Sequence, residues 1–149
     1  MLRKIIDFKA NFKGIENMEI KFIVPGNPIT KKNSQRICKT KNGRSFIMPS
    51  KNYVDYEKNF CIFASRYKKK IDYPVNIKCV FYMQTRRKVD LTNLLSATMD
   101  CLVSSGVIVD DNRNIAGAND GSRVFYDKEN PRVEITISDL NNYEKWPKK

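Results

Sequence analysis

Apolar and polar residues alternate along three segments of the chain, at residues 18–24, 75–84 and 132–137. Such alternation is typical of half-buried β-strands, because successive side chains point to opposite faces of a sheet. The shorter segment 122–126 predicts a further strand, whereas the Gly- and Asn-containing stretch 116–121 predicts a loop. The chain therefore has the strands for a small β-sheet.

Apolar residues at helical spacing predict a helix over residues 51–67. Its aromatic residues recur at intervals of three and four, and they are Tyr56, Phe60, Phe63 and Tyr67. A stripe with this spacing usually packs, so we expect these side chains to lie mostly in the core.

A second helix is predicted over residues 91–105, and Gly106 is expected to end it in the left-handed conformation. On a helical wheel, the face expected to pack carries Leu91, Leu94, Leu95, Thr98 and Leu102. The opposite face, expected to point outward, carries Asn93, Ser96, Ala97 and Asp100. The helix therefore has one packing side and one polar side.

Together these elements predict an α+β fold, a small mixed sheet with two main helices packed on it. The length of 149 residues suits a single domain over residues 1–149. We expect its core to span about residues 18–138, after an N-terminal extension at 1–17 and before a polar tail at 139–149.

The composition limits the kinds of binding partner and of catalytic site that the chain can have. The chain has 28 Lys and Arg against 16 Asp and Glu, a formal charge of +12, which favours nucleic acid as the partner ahead of an anionic membrane surface. The absence of histidine excludes Ser-His-Asp and Cys-His catalysis and histidine-metal nucleases. The four cysteines form no Cys-x-x-Cys pair, so zinc is not expected.

Hydropathy predicts no membrane association. No stretch approaches the roughly 20 consecutive apolar residues of a membrane span, and the N-terminal residues lack the apolar run of a signal peptide. A cytoplasmic protein is therefore expected.

The polar segment 28–50 is rich in cations and contains Asn42-Gly43, a signal for a hairpin or a loop. Its cations are Lys31, Lys32, Arg36, Lys39, Lys41 and Arg44. The segment is a candidate for contacts with phosphates. A solvated connection is an equally good interpretation, because basic loops are ordinary on basic proteins.

Several carboxylates follow the basic run Arg86-Arg87-Lys88, and they are Asp90, Asp100 and the pair Asp110-Asp111. Cutting a phosphodiester with Mg²⁺ needs hard oxygen ligands for the metal and positive charge for the polyanionic substrate. The combination predicts a DNA nuclease. A purely structural interpretation also fits, with Asp90 as a helix N-cap and the acidic pair as a turn.

Chain geometry allows these carboxylates to meet. The second helix advances about 1.5 Å per residue, and the extended return through Gly106 to Asp111 recovers about 3.3 Å per residue. Asp111 can therefore come back near Asp90.

The acidic residues resemble the core motifs of the RusA family of Holliday-junction resolvases, an Asp-x-Asp-Asn helix start, a helical Asp and an Asp-Asp pair. The matching residues are Asp90, Asn93, Asp100, Gly106 and Asp110-Asp111, and the likeness spans roughly residues 20–137. The best-known members have a second Asp and, one turn later, a Lys where this chain has Thr92 and Ser96. A hydroxyl carries no negative charge, so Asp100 or Asp110 would have to supply the missing ligand charge.

The resemblance implies an Mg²⁺-dependent crossover junction endodeoxyribonuclease, with Mn²⁺ as a possible substitute, that nicks four-way junctions in DNA recombination and repair. Asp90, Asp110 and Asp111 would hold the metal, Asp100 would assist, and Asn93 would orient a carboxylate or water. The residues that would bind DNA phosphates are Lys31, Lys32, Arg36, Arg44, Arg86, Arg87 and Lys88. A homodimer is implied, because two paired sites suit a two-fold junction.

Two other interpretations compete with the nuclease. Without the second Asp and the Lys, the chain could bind junctions and not cut them, and affinity would then follow the basic surface. An RNA-binding module would need base-stacking aromatics outside helical stripes, and the sequence shows none.

Overall fold

The computed structural model describes residues 18–32 and 35–140. The predicted N-terminal extension, and the predicted tail beyond residue 140, lie outside the described residues. Within them the strands are β1 (Glu19–Pro25), β2 (Gln35–Lys39), β3 (Ser45–Pro49), β4 (Val75–Met83), β5 (Ala116–Ala118), β6 (Arg123–Tyr126) and β7 (Arg132–Asp139). The helices are α1 (Lys51–Ala64), which continues into a short 3₁₀ turn at Ser65–Tyr67, and α2 (Leu91–Ser104).

Five strands form a mixed sheet in the order β1-β7-β4-β5, with β6 also beside β4. Strand β7 runs antiparallel to β1 and to β4, whereas β5 and β6 run parallel to β4. The parallel pairing requires a crossover after β4, and α2 lies in that crossover. The predicted α+β fold with two main helices on a small mixed sheet is confirmed.

The core side of the sheet is built from apolar rows that cross three strands. The register aligns Ile20, Ile137 and Ile77, then Phe22, Ile135 and Cys79, then Val24, Val133 and Phe81. All nine side chains are buried. The alternation in the sequence therefore predicted the strands because one face of each is covered and the other faces solvent.

Helix α1 begins at Ser50, whose hydroxyl accepts a hydrogen bond from the Tyr53 backbone N–H at 3.1 Å. Its buried stripe consists of Tyr53, Tyr56, Phe60 and Ala64. The prediction that Phe63 lies in the core is wrong, since its side chain is 40% exposed. The stripe is centred on Tyr53 and Phe60, which puts Phe63 at its edge.

Helix α2 ends as predicted, with Gly106 at φ +76°. The prediction that Ala97 points outward is wrong, because Ala97 is almost completely buried. Cys101, one turn later on the same side, lies 3.8 Å from the Tyr53 hydroxyl of α1. The helical wheel assumed that α2 packs on one side only, against the sheet. In the structure, α1 covers a second side of α2, and Ala97 lies on that side.

The basic segment forms a hairpin, the first of the two structures that Asn42-Gly43 allowed. Strands β2 and β3 pair antiparallel as a separate two-stranded sheet, here called the ribbon. Its turn is closed by the Gly43 backbone N–H, which donates to the Thr40 carbonyl, and by Thr40 N–H, which donates to the Arg44 carbonyl. Gly43 has φ +78°, a conformation that glycine adopts without strain.

The predicted loop at residues 116–121 contains the three-residue strand β5, which sequence patterning missed. Three small residues show no alternation that could mark them as a strand. Across the described residues, none of the helices combines the length and the apolar character needed to cross a membrane.

Candidate active site

Two cavities lie along the polar side of α2 and share Lys31 as a lining residue. The acidic cavity, of about 250 Å³, is lined by Lys31, Glu57, Asp100, Ser104, Asp110 and Asp111 among others. The polar cavity, of about 430 Å³, is lined by Lys31, Lys32, Gln35, Thr92, Asn93 and Ser96 among others. The predicted polar side of α2 therefore faces both cavities.

The loop that carries Asp110 and Asp111 follows residues 107–109. Hydrogen bonds from its own side chains and backbone hold its conformation. The Asp110 carboxylate accepts hydrogen bonds from the Asp111 backbone N–H and from Asn112 Nδ2, both at 2.8 Å. The Asn112 side-chain oxygen in turn accepts from the Asn114 backbone N–H at 2.9 Å. The hydrogen bonds from Asn112 and from the Asp111 backbone lower the pKa of Asp110, so this carboxylate stays ionised at neutral pH.

Asp100 projects from α2 into the acidic cavity and is paired with a cation. Its Oδ2 lies 3.3 Å from Lys31 Nζ, and both side chains are partly exposed. The Lys31 ammonium also lies 5.9 Å from the centre of the Tyr53 ring. Water screens such a pair, so its value is in positioning Lys31 and not in stabilising the fold.

The segment that carries Lys31 is anchored to the body of the protein. The Gly26 backbone N–H donates to the Pro131 carbonyl at 3.0 Å, Asn59 Nδ2 donates to the Pro25 carbonyl at 3.0 Å, and Asn27 Oδ1 accepts from the Gln84 backbone N–H at 2.9 Å. These bonds hold the start of the basic segment against β4, β7 and α1. Lys31 therefore enters the cavities from a fixed base.

Asp90 caps α2, as the structural interpretation of the sequence predicted. Its Oδ1 accepts from the Thr92 backbone N–H at 3.3 Å and from the Thr92 hydroxyl at 2.7 Å. No described residue donates a hydrogen bond to Oδ2 of Asp90. Capping therefore uses one carboxylate oxygen and leaves the other available to a ligand.

Asn93 and Ser96 lie one turn apart on the wall of the polar cavity. Within the described part of the chain, the side-chain amide of Asn93 makes no hydrogen bond. Both donors and its acceptor oxygen are available to a bound molecule.

The structure brings together three of the four predicted acidic residues and leaves one apart. Asp100, Asp110 and Asp111 line the acidic cavity, whereas Asp90 lines neither cavity. Asp90 and Asp100 are separated by about 15 Å along the axis of α2, at 1.5 Å per residue. Asp90 and Asp111 therefore line no common cavity in this structure, and their sharing of one metal ion stays a prediction.

Residues 107–109, which follow α2, are hydrogen-bonded to the segment before β4. The Ile71 backbone N–H donates to the Val107 carbonyl, and the Val109 N–H donates to the Ile71 carbonyl, both at 3.0 Å. Val107 and Ile108 are buried. The chain consequently leaves the core beside the C-terminal half of α2, and Asp110 emerges there.

The donors suit a hard divalent cation in kind but do not converge on one point. Carboxylate oxygens are the ligands that Mg²⁺ prefers. Among the described residues, no three acidic or thiol side chains stand close enough to hold one ion. Ionised carboxylates repel one another, and here Asp90 and Asp110 are satisfied by local donors instead.

The predicted phosphate-binding cations form two groups, one at the cavities and the ribbon and one before α2. Lys31 and Lys32 line the cavity walls, Arg36 lies on β2 of the ribbon, and Arg44 lies in the turn that joins its strands. The second group is the exposed run Arg86-Arg87-Lys88, which leads directly into Asp90. Arg86 stacks on the Tyr126 ring of β6, with its guanidinium carbon 4.4 Å from the ring centre.

Glu57 is a residue of the acidic cavity that sequence analysis missed. Burial raises the pKa of the Tyr53 hydroxyl, and Cys101, Glu57 and Asp100 add to that increase, which reflects how closely these groups stand. Glu57 belongs to α1, more than thirty residues before the acidic motif. Only the packing of α1 against α2 brings it into the site, and no local pattern signals that.

A third cavity, larger than the acidic and the polar cavity, lies elsewhere and is lined mostly by apolar residues. Its volume is about 660 Å³, and its lining includes Phe22, Ile62, Phe63 and Tyr67. Glu134 is its single carboxylate among those lining residues. Its one carboxylate offers a cation fewer oxygen ligands than the four carboxylates that line the acidic cavity.

Comparison with known proteins adds one match. A family model described as endodeoxyribonuclease RusA matches residues 25–138, about three quarters of the chain. That range contains both cavities and all four predicted acidic residues. A comparison with curated proteins finds no match.

Proposed function

Since the chain belongs to the RusA family of endodeoxyribonucleases, we propose that it cuts four-way DNA junctions in recombination and repair by hydrolysing phosphodiester bonds with a divalent cation. The acidic cavity beside a cationic wall carries the proposal. Carboxylates can hold a metal ion, and cations can hold the phosphates of a polyanion. A site that has both groups side by side is therefore suited to bind a metal ion and DNA together.

The cation would be Mg²⁺, with Mn²⁺ as a substitute, and its ligands would be Asp90, Asp110 and Asp111 with assistance from Asp100. When bound, such a cation offsets the repulsion among carboxylates and lowers the pKa of a coordinated water. The ionised state of Asp110 and the unshared oxygen of Asp90 support these assignments.

The remaining site residues would bind and orient the DNA. Asn93 has a side-chain amide available to position a water or a carboxylate, and Lys31 reaches both cavities. The other phosphate ligands would be Lys32, Arg36, Arg44, Arg86, Arg87 and Lys88. The reaction would pass through no covalent enzyme intermediate, because water is the nucleophile.

We also propose that the active form is a homodimer. A four-way junction has two equivalent strands to cut, and a two-fold dimer places two equivalent sites. Sedimentation equilibrium should then give twice the chain mass of 17.4 kDa. A monomer that cuts only one strand per encounter would contradict this part.

The direct test is cleavage of a synthetic four-way junction whose branch point can migrate, beside a linear duplex of the same sequence. We expect the junction to be nicked on two opposing strands in Mg²⁺ and to remain intact in EDTA. Equal cutting of the linear duplex would instead identify a general nuclease.

A second candidate is a protein that binds junctions without cutting them. Two observations favour it: Thr92 supplies a neutral hydroxyl where a metal site would gain from a charge, and that hydroxyl holds Asp90 in its capping role. Tight junction binding with no nicks in either Mg²⁺ or Mn²⁺ would establish this alternative.

A further inference from the structure

The outer face of the ribbon displays a pair of apolar side chains to solvent. Ile37 of β2 and Ile47 of β3 are direct cross-strand partners. Their exposures are 77% and 66%, which places them among the three most exposed large apolar residues described. Neighbouring side chains on the same face of a ribbon stand about 5 Å apart, so the two form one continuous apolar patch.

The patch stands in the most uniformly basic part of the chain. Residues 20–54 contain no Asp or Glu, and the ribbon with its turn contributes Arg36, Lys39, Lys41 and Arg44. Lys39 lies on the same face as Ile37, because alternate residues of a strand share a face. Lys39 is the strand cation on that face, the turn with Lys41 and Arg44 follows it, and Arg36 lies on the opposite face. A surface with apolar side chains beside cations is complementary to a polyanion with an exposed apolar element.

We propose that this face of the ribbon recognises the branch point of junction DNA. Ile37 and Ile47 would pack on base pairs whose stacking is interrupted where strands exchange, and the nearby cations would bind the adjoining phosphates. Within a linear duplex the faces of the bases are covered by their neighbours. The cations would therefore hold any DNA, and the apolar pair would distinguish a branch from a duplex.

The position of the ribbon agrees with this role, which rests on the proposed junction substrate. Gln35, the first residue of β2, lines the polar cavity. Ile37 follows two residues later, about 7 Å along the strand. That distance is about two base-pair steps, so a branch held at the isoleucines keeps the strands to be cut beside the cavities.

Charge argues against a second copy of the chain as the occupant of this face. Two ribbons that met through their isoleucines would bring two sets of cations together without a carboxylate in either ribbon. Such like-charge contact opposes association. DNA relieves the same repulsion by releasing its counterions.

The test compares the double variant Ile37→Ser/Ile47→Ser with Ile62→Ser, a control of matched exposure at 69% on α1. Binding is measured in EDTA by fluorescence anisotropy with the synthetic junction and with linear duplex. We expect the double variant to lose roughly tenfold in junction affinity, since the polar serine side chains cannot pack on the exposed faces of the bases. Its duplex affinity, and both affinities of the control, should stay within about twofold.

A base analogue supplies an independent readout. With 2-aminopurine in the DNA at the branch point, binding of the wild-type protein should change the fluorescence of the 2-aminopurine. Binding of the double variant should leave that fluorescence unchanged. An unchanged ratio of junction to duplex affinity, or equal losses for both DNAs, would overturn the inference. A change in oligomeric state confined to the double variant would also overturn it, by assigning the face to a protein contact.

These outcomes are separate from those of the cleavage assay. Failure of the wild-type protein to nick junctions would refute the proposed function while leaving branch recognition measurable. Urea unfolding of each variant checks that the substitutions leave the fold intact, as expected for side chains that are mostly exposed.

Discussion

At the scale of single residues, Asp111 is the carboxylate whose removal should separate cutting from binding. Replacing Asp111 with Asn removes a proposed metal ligand and one negative charge near the DNA. We expect Asp111→Asn to lower the cleavage rate by roughly 100-fold or more while junction affinity stays equal or rises. Single-turnover cleavage and anisotropy measure the two effects.

The control for that substitution is Asp72→Asn, which changes an exposed carboxylate outside both cavities. It should leave the cleavage rate within about twofold. Full cleavage by Asp111→Asn would remove this residue from the metal site.

Lys31 is the cation that reaches both cavities, and its ammonium is already placed by Asp100 and the Tyr53 ring. Replacing it with Gln removes a charged hydrogen bond to phosphate, worth about 1.5–3 kcal/mol. We expect the cleavage rate at saturating DNA to fall by roughly tenfold or more. Lys78→Gln, on the sheet face away from the helices, is the matched control, and equal losses from both variants would contradict the role of Lys31.

The cysteines should divide into two reactive and two protected thiols. Burial raises the pKa of Cys79 and of Cys101 to about 12, and the reactive thiolate is then scarce at neutral pH. Cys38 and Cys61 are only half-buried, and burial with the nearby Glu57 raises the pKa of Cys61.

Mass spectrometry after brief treatment with iodoacetamide should show Cys38 modified before Cys61. Cys79 and Cys101 should react only after urea unfolding. Rapid labelling of Cys79 or Cys101 in the folded protein would contradict the complete burial of these two side chains.

Sequence predicted the individual acidic residues because their spacing is local. Asp90 precedes a helix, Asp100 lies on its polar side, and the acidic pair follows the helix by a fixed number of residues. Glu57 and the pairing of Lys31 with Asp100 depend on distant segments meeting. A single sequence carries no signal for such meetings.

At the scale of elements, the ribbon should contribute electrostatic affinity for every DNA. Each phosphate contact contributes about 0.9 to the slope of log affinity against log salt concentration. Replacing Arg36 and Arg44 with Gln should therefore reduce the magnitude of the slope by about 1.8 with duplex DNA. The same slope in the wild-type and double variant would show that these two cations make no phosphate contact.

Elements with a strong period were predictable from the sequence, and those that depend on their neighbours were not. Strands β1, β4 and β7 alternate because only one face of each is covered, so pattern and burial agree. Strand β5 consists of three small residues that pair with β4. Its sequence has no alternation of apolar and polar residues that would indicate this pairing. Burial of Ala97 required knowledge that α1 packs beside α2.

At the scale of the whole molecule, the fold puts acidic and basic groups to separate uses around one helix. Helix α2 carries Asp90 at its start and Asp100 on its side, and the loop that follows it carries Asp110 and Asp111. The run Arg86-Arg87-Lys88 leads into this helix, and the basic ribbon begins at Gln35 in the polar cavity beside it, within a chain of net charge +12. In the proposed function, the cations would attract the DNA and the carboxylates would recruit the metal.

The central claim is that Asp90 and the pair Asp110-Asp111, which line no common cavity in this structure, share one cation when DNA is bound. Fe²⁺ in place of Mg²⁺, with ascorbate and peroxide, generates radicals that cut the protein backbone close to the metal. With junction DNA present, we expect cuts near residue 90 and near residues 110–111, and both sets should disappear with excess Mg²⁺. Cuts confined to one of these segments, or unaffected by Mg²⁺, would contradict a shared metal site.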